Sequence, residues 1–185
     1  MTPEQYVEIL PTIQIPVNWE NWLRKPKDGI WADDPKIAKR LKRCLIRILH
    51  KKRGSPSYYQ DADIISMPQK NRYRYAWAYY GALFHEVGHW TGHPDRMNRG
   101  LAHPVDNREA YAREELIAEM VSRRLCIEFN MEDGERQHLE YLKIYWDHLC
   151  FNREDIFVAS EKAHKALRFI NSALLMCPKE YTGLV

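Results

Sequence analysis

The stretch from Tyr79 to Thr91, YYGALFHEVGHWT, decides how this chain is read, because it sets His85-Glu86-Val87-Gly88-His89 inside an apolar pattern of helical period. Ala76, Tyr79/Tyr80, Leu83 and Val87 recur three and four apart, and Gly92 and Pro94 end the pattern, so a helix is expected from about Arg72 to Thr91. Residues four apart on a helix share a face. His85 and His89 can then offer two imidazoles to one Zn2+ ion while Glu86 turns toward a water in the same site.

A centre with two histidines needs a third protein ligand. Glu115 and Glu119 lie four apart on a further expected helix, about Arg108 to Phe129, and Glu115 follows His89 by 26 residues. That helix is otherwise apolar at Ala112, Leu116, Met120 and Ile127, and paired carboxylates on such an element call for a polar purpose. Glu115 is the favoured ligand, with Glu119 as the alternative or as the acid that orients a histidine N–H. Asp95 is a rival, since HEVGHWTGHPD also fits HExxHxxGxxD, in which a glycine turn brings the next acid to the metal. Three protein ligands leave a fourth tetrahedral position for a water whose pKa falls to about 7. Glu86 is the expected general base. Tyr111 lies one turn before Glu115 and is a candidate for a supporting hydrogen bond. His93 lies beyond Gly92 and reads as a loop residue.

The chain has 185 residues, of which 45% are apolar, 12% aromatic and 29% charged. Those values suit a compact domain and exclude disordered, collagenous and coiled-coil classes. The longest apolar stretch, Tyr75 to Phe84, is ten residues and too short to cross a bilayer, and the start, MTPEQYVEIL, lacks a basic-plus-apolar leader. No membrane partner is expected. Cys44, Cys126, Cys150 and Cys177 form no CxxC pair, which fits a cytoplasmic protein.

The net charge of +3 is concentrated in one run: residues 36–53 hold nine basic and no acidic side chains. Asp34-Pro35 supplies an N-cap and a first-turn proline, and Ile37, Leu41, Cys44/Leu45 and Ile48 recur at helical spacing up to Gly54. The expectation is a basic amphipathic helix over 36–53 within an N-terminal extension, residues 1–54. Its cations are Lys36, Lys39, Arg40, Lys42, Arg43, Arg47, Lys51, Lys52 and Arg53, a solvated face or a DNA phosphate surface. Residues 55–178 form the expected main domain and 179–185 a tail. A short strand at 63–67, with Ile64 and Ile65, offers a sheet edge to an extended protein or peptide substrate. Two last helices are expected at about Glu135 to Leu149 and Asn152 to Leu175, the latter capped by Asn152.

The segments YYGALFHEVGHWTGHPDRMNR and Tyr111-Ala112-Arg113-Glu114-Glu115-Leu116-Ile117-Ala118-Glu119, with Asp63-Ile64 and Met67-Pro68 upstream and Trp146 and an Ala-rich helix downstream, resemble the zincin-like metallopeptidase domain of ArdC-type antirestriction proteins and other mobile-element polyvalent proteins. The resemblance covers about residues 55–175. It implies an α+β, mainly helical zincin fold with a small sheet beside the HExxH helix, a Zn2+ cofactor, hydrolysis of peptide bonds and an antirestriction setting in plasmids or phage. A module that keeps the fold and acts by binding DNA or protein is the alternative it leaves. In that family the position of Asp95 need not be acidic, which favours Glu115. ArdC-type proteins carry a separate single-strand DNA-binding domain ahead of the peptidase, and the residues preceding the similar region here do not resemble it.

Overall fold

The computed structural model describes residues 2–9, 31–101, 105–131, 143 and 153–172. In chain order these form α1 (Pro3–Ile9), α2 (Pro35–Arg43), β1 (Ile48–Lys51), β2 (Ser57–Tyr59), β3 (Ile64–Pro68), a 3-10 turn at Lys70–Arg72, α3 (Ala76–Trp90), α4 (Arg108–Glu128) and α5 (Arg153–Ser172). The three strands make one sheet in the order β1-β3-β2, with β1 parallel and β2 antiparallel to β3. The architecture is the expected one, mainly helical with a small sheet beside the HExxH helix.

The cationic run does not form one helix. Asp34 caps α2 as expected, its Oδ1 accepting from the backbone N–H groups of Lys36 and Ile37 at 2.7 and 3.3 Å. The helix then stops at Arg43, ten residues before the expected end, and the chain re-enters the sheet as β1. The stop is a Schellman turn: Leu45 N–H donates to Lys42 O at 3.1 Å and Ile46 N–H to Leu41 O at 3.3 Å. Leu45 occupies the left-handed position at φ 55, where glycine is usual, so no glycine marks the end in the sequence. β1 gains its hydrogen bonds from β3, with Ile48 opposite Ile65 and Lys51 opposite Pro68.

A second expectation also changes. β3 is the central strand, with β1 on one side and β2 on the other, so it has no free edge at Ile65–Ser66 for a substrate to pair with. The outer strands β1 and β2 carry the edges.

The core lies between the sheet and the helices. Ile65 and Met67 of β3, Tyr79, Leu83 and Phe84 of α3, and Leu116 and Leu125 of α4 are all buried, each contributing about 1.5–3 kcal/mol of apolar transfer. α3 starts at Ala76 rather than Arg72, because the 3-10 turn and the extended residues Tyr73 and Tyr75 precede it. α4 matches its expected span within a residue and is capped by Asn107, whose Oδ1 accepts from Ala110 N–H at 2.9 Å. α5 buries Ile156, Ala159, Ala163, Ala166 and Ile170, a stripe of helical period that packs on α4 and α1. The expected cap Asn152, the helix over 135–149 apart from Lys143, and the tail 179–185 lie outside the described residues.

The crossing of α3 and α4 sets the site. A Cβ built on Gly88 would meet the Cα of Ala118 at 2.7 Å and its Cβ at 3.1 Å. Glycine thus lets the backbone of α4 approach at the one turn of α3 that lies between His85 and His89. Ser122 Oγ donates to Gly81 O at 2.7 Å and ties the same two helices two turns away.

Candidate metal centre

Two adjacent turns of α3 and two of α4 meet at the Gly88–Ala118 contact, and the polar side chains flanking it converge. His85 Nε2 and His89 Nε2 are 3.0 Å apart. Glu115 extends one carboxylate oxygen to 3.2 Å from His85 Nε2 and the other to 3.5 Å from His89 Nε2. Among the described residues, His85, His89 and Glu115 form the group whose donor atoms come together in this way, all within 4.8 Å of one another.

The donor set fits a divalent cation. Two nitrogens bound tetrahedrally at about 2.05 Å would stand about 3.3 Å apart, close to the spacing of the imidazole pair. The rings face each other nearly edge to face, with centroids 4.7 Å apart and an interplanar angle of 80°. Two imidazole nitrogens and a carboxylate are the ligand chemistry of a catalytic zinc site with one position left open.

A further shell of acids surrounds the rings. His85 Nδ1, the nitrogen facing away from His89, is 3.0 Å from Glu119 Oε1. Glu119 thus touches the back of a histidine, where an orienting acid belongs. His89 Nδ1 is 3.3 Å from Glu114 Oε1, and Arg99 grips Glu114 with two hydrogen bonds of 2.8 and 2.6 Å. Tyr111 donates its hydroxyl to Glu115. Glu86 is buried on α3, and its charge acts on both His89 and Tyr111.

Charge governs protonation here. Burial works against the imidazolium form of His85, but Glu119 and Glu115 outweigh it and hold its pKa well above the ordinary histidine value. His89 shifts the same way, burial being overcome chiefly by its contact with Glu114. Burial penalises the Glu115 anion, yet hydrogen bonding to His85 and the charges of both rings keep its carboxyl well below the usual carboxylate range. Burial, then the hydrogen bond to Glu115, push the Tyr111 hydroxyl up, so it stays protonated.

The sequence-based candidates therefore separate. His85, His89, Glu115, Glu119 and Tyr111 come together, with Glu86 buried beside them. Asp95 does not join them: its side chain is 77% exposed and lies 3.6 Å from His93 Nδ1, in the loop beyond α3. Two residues escaped the sequence reading, Glu114 and Arg99. Glu114 was visible as the neighbour of Glu115 in the run Arg113-Glu114-Glu115, where it sits about 100° round the helix from the ligand face. Arg99 sits in a loop of Asn, Gly and Arg, and only the path of that loop brings it to Glu114.

Comparison with known proteins gives the family of the chain. A family model described as a zincin-like metallopeptidase matches residues 36–162. DNA primase TraC of Escherichia coli is 34% identical over 144 residues, which cover 78% of this chain and 14% of the primase. The crystal structure of the antirestriction protein ArdC from plasmid R388, in its metal-free form, aligns with a TM-score of 0.60 at 28% identity over 81% of this chain and 54% of that one. Its Mn(II)-bound form aligns at 0.59 with the same identity. The chain thus spans about a seventh of the primase and about half of ArdC.

Proposed function

Because this chain belongs to the zincin-like metallopeptidase family, we propose that it holds Zn2+ between His85, His89 and Glu115 and hydrolyses peptide bonds in a protein or peptide substrate, in an antirestriction setting on a mobile element. The observation that carries this reading is the convergence of the two Nε2 atoms, 3.0 Å apart, with the Glu115 carboxylate within 3.5 Å of both.

Bound zinc supplies Lewis acidity, which makes a water acidic near neutral pH and polarises a carbonyl. The remaining work belongs to the protein. Glu86 accepts the proton that the attacking water gives up and delivers it to the leaving amine, a role usually worth 10²–10⁴-fold in rate. Glu119 and Glu114 hold the outer ring nitrogens, so that each Nε2 stays aimed inward. Tyr111 keeps its proton and steadies the Glu115 carboxylate. The Arg99 guanidinium neutralises Glu114, which keeps the acid-rich surroundings of the centre compatible with burial.

A second contact is part of the same proposal: DNA meets the cations of the run 36–53, on α2, β1 and the residues beside them. All of Lys36, Lys39, Lys42, Arg43, Arg47, Lys51, Lys52 and Arg53 are exposed, and among the described residues the ion pair on this run belongs to Arg40, which reaches Glu128 at 2.6 Å. Such a surface binds a phosphate backbone with affinity that falls with salt at about −0.9 per phosphate neutralised. Replacing Lys51 and Lys52 by glutamine should reduce that slope by about 2. Salt-independent binding, or none at about 50 mM salt, would remove DNA from the proposal.

The deciding experiment on catalysis is Glu86→Gln assayed on a fluorogenic peptide library. The variant should keep the metal content of the parent and lose hydrolysis by at least about 10²-fold. Cleavage at the parent rate, or a parent that cleaves nothing when zinc-loaded, contradicts the peptidase mechanism.

A further inference from the structure

Arg99 closes the family-like segment that begins at Tyr79, its side chain is only 5% exposed, and every arm of its guanidinium is engaged. Nε donates to Glu114 Oε2 at 2.8 Å, Nη2 to Glu114 Oε1 at 2.6 Å and to Gly88 O at 2.7 Å, and Nη1 to Thr91 Oγ1 at 2.8 Å. These partners lie on both sides of His89. The Gly88 carbonyl is one peptide before it in the chain, and the Glu114 carboxylate stands against its Nδ1 at 3.3 Å.

The end of α3 is built to receive this arginine. Gly92 N–H turns to His89 O at 2.7 Å and so does not continue the helical ladder to Gly88 O. The carbonyl released in this way accepts from Arg99 and from Thr91 Oγ1 at 2.6 Å. A cation is favourable at a helix C-terminus, and a planar fork suits the two oxygens of a carboxylate. Gly92 leaves the room: a Cβ there would meet Arg99 Nη2 at 2.9 Å. The backbone of Arg99 is fixed too, its N–H donating to Gly92 O at 3.0 Å.

We propose that Arg99 is a positioning residue for the metal centre, fixing at once the helix end that carries His89 and the carboxylate that orients the His89 ring. It acts through Glu114 and Gly88 and touches neither metal nor substrate. The inference rests on the assignment of His89 as a ligand. Lysine carries the same charge but cannot grip two carboxylate oxygens, a carbonyl and a hydroxyl together.

The test uses Co2+ as the probe, with affinity measured by chelator competition and the ligand field read from the visible spectrum. Stability of each metal-free variant is measured separately by urea unfolding. Arg99→Gln and Glu114→Gln should each weaken Co2+ binding about 10–100-fold and shift the spectrum, with Arg99→Lys intermediate. The double variant should lose about as much as either single one, since both changes cut the same link. A merely structural arginine would lower urea stability while leaving Co2+ affinity within about twofold and the spectrum unchanged, and that result overturns the proposal; so do losses that multiply in the double variant. Should Arg99→Gln fail to fold, Glu114→Gln and Arg99→Lys decide, and parent-like affinity in both rejects the proposal. A parent that binds no Co2+ refutes the metal assignment itself, whereas a parent that binds with unaffected variants refutes the role of Arg99 alone.

Discussion

Replacing Gly88 with alanine forces apart the two helices that build the centre. The added Cβ would stand 2.7 Å from the Cα of Ala118, where ordinary contacts begin at 3.4 Å, so α4 must withdraw by about 0.7 Å. The obstacle is backbone, and no rotamer relieves it. Overpacking of this kind costs up to about 3 kcal/mol, and the better helix propensity of alanine returns about 1 kcal/mol, leaving a net loss of about 2 kcal/mol. For a domain of this size that is about 4–8 °C in melting temperature. Glu115 and Glu119 flank Ala118 on α4, and a shift of about 0.7 Å exceeds the tolerance of about 0.2 Å in metal–ligand distance. Zinc affinity should therefore fall at least about tenfold, a loss measurable by chelator competition beside thermal unfolding of the metal-free protein. Adding Ala118→Gly should not restore either property, because the closest atom is the Cα that glycine retains. Stability and zinc affinity equal to the parent in Gly88→Ala would refute the claim that this crossing sets the site.

Three further outcomes are expected. Leu45→Gly should stabilise the protein by about 0.5–1 kcal/mol in urea unfolding, since Leu45 is 59% exposed and pays for a left-handed backbone at φ 55; destabilisation would mean the turn is not strained. Asp63 gives the pH dependence. Burial tends to raise its pKa, but hydrogen bonds from Arg96 and Tyr58 outweigh this and lower it in the folded state, so its contribution is full above the unfolded value and fades as pH falls through the folded one. Asp63→Asn should accordingly be less stable than the parent at pH 6–7 and converge with it only as acid protonates the folded-state carboxylate, below the ordinary aspartate range, and a gap that persists once it is protonated argues against the ion pair. Tyr111→Phe should leave the fold intact while weakening zinc by a few-fold, as Glu115 loses one donor; unchanged affinity would assign the tyrosine to packing alone.

The centre was largely legible because its main elements are local. His85, Glu86 and His89 share two turns of one helix, Glu115 and Glu119 share two turns of another, and helical period alone puts each set on a face. What the sequence left open was which acid reaches the imidazoles. Asp95 and Glu115 were both admissible, and the choice falls to the Gly88–Ala118 crossing, a contact between residues 30 positions apart. The run 36–53 departs from its expected single helix for a related reason. Leu41, Cys44/Leu45 and Ile48 fit a helix, while Ile46, Ile48 and His50 equally fit a strand, and the deciding partner, β3, comes only after β2. With leucine where a helix-ending glycine is usual, nothing local announced the stop. Arg99 and Glu114 were missed because their roles exist only once the loop after α3 folds back on α4.

Where a bound metal sits decides whether His85, His89 and Glu115 form one centre. Crystals of the full chain grown with Zn2+ and measured on both sides of the zinc absorption edge should show one anomalous peak per molecule, bounded by His85 Nε2, His89 Nε2 and the Glu115 carboxylate. No peak, or a peak that leaves Glu115 unbound and recruits Asp95, would contradict that single centre.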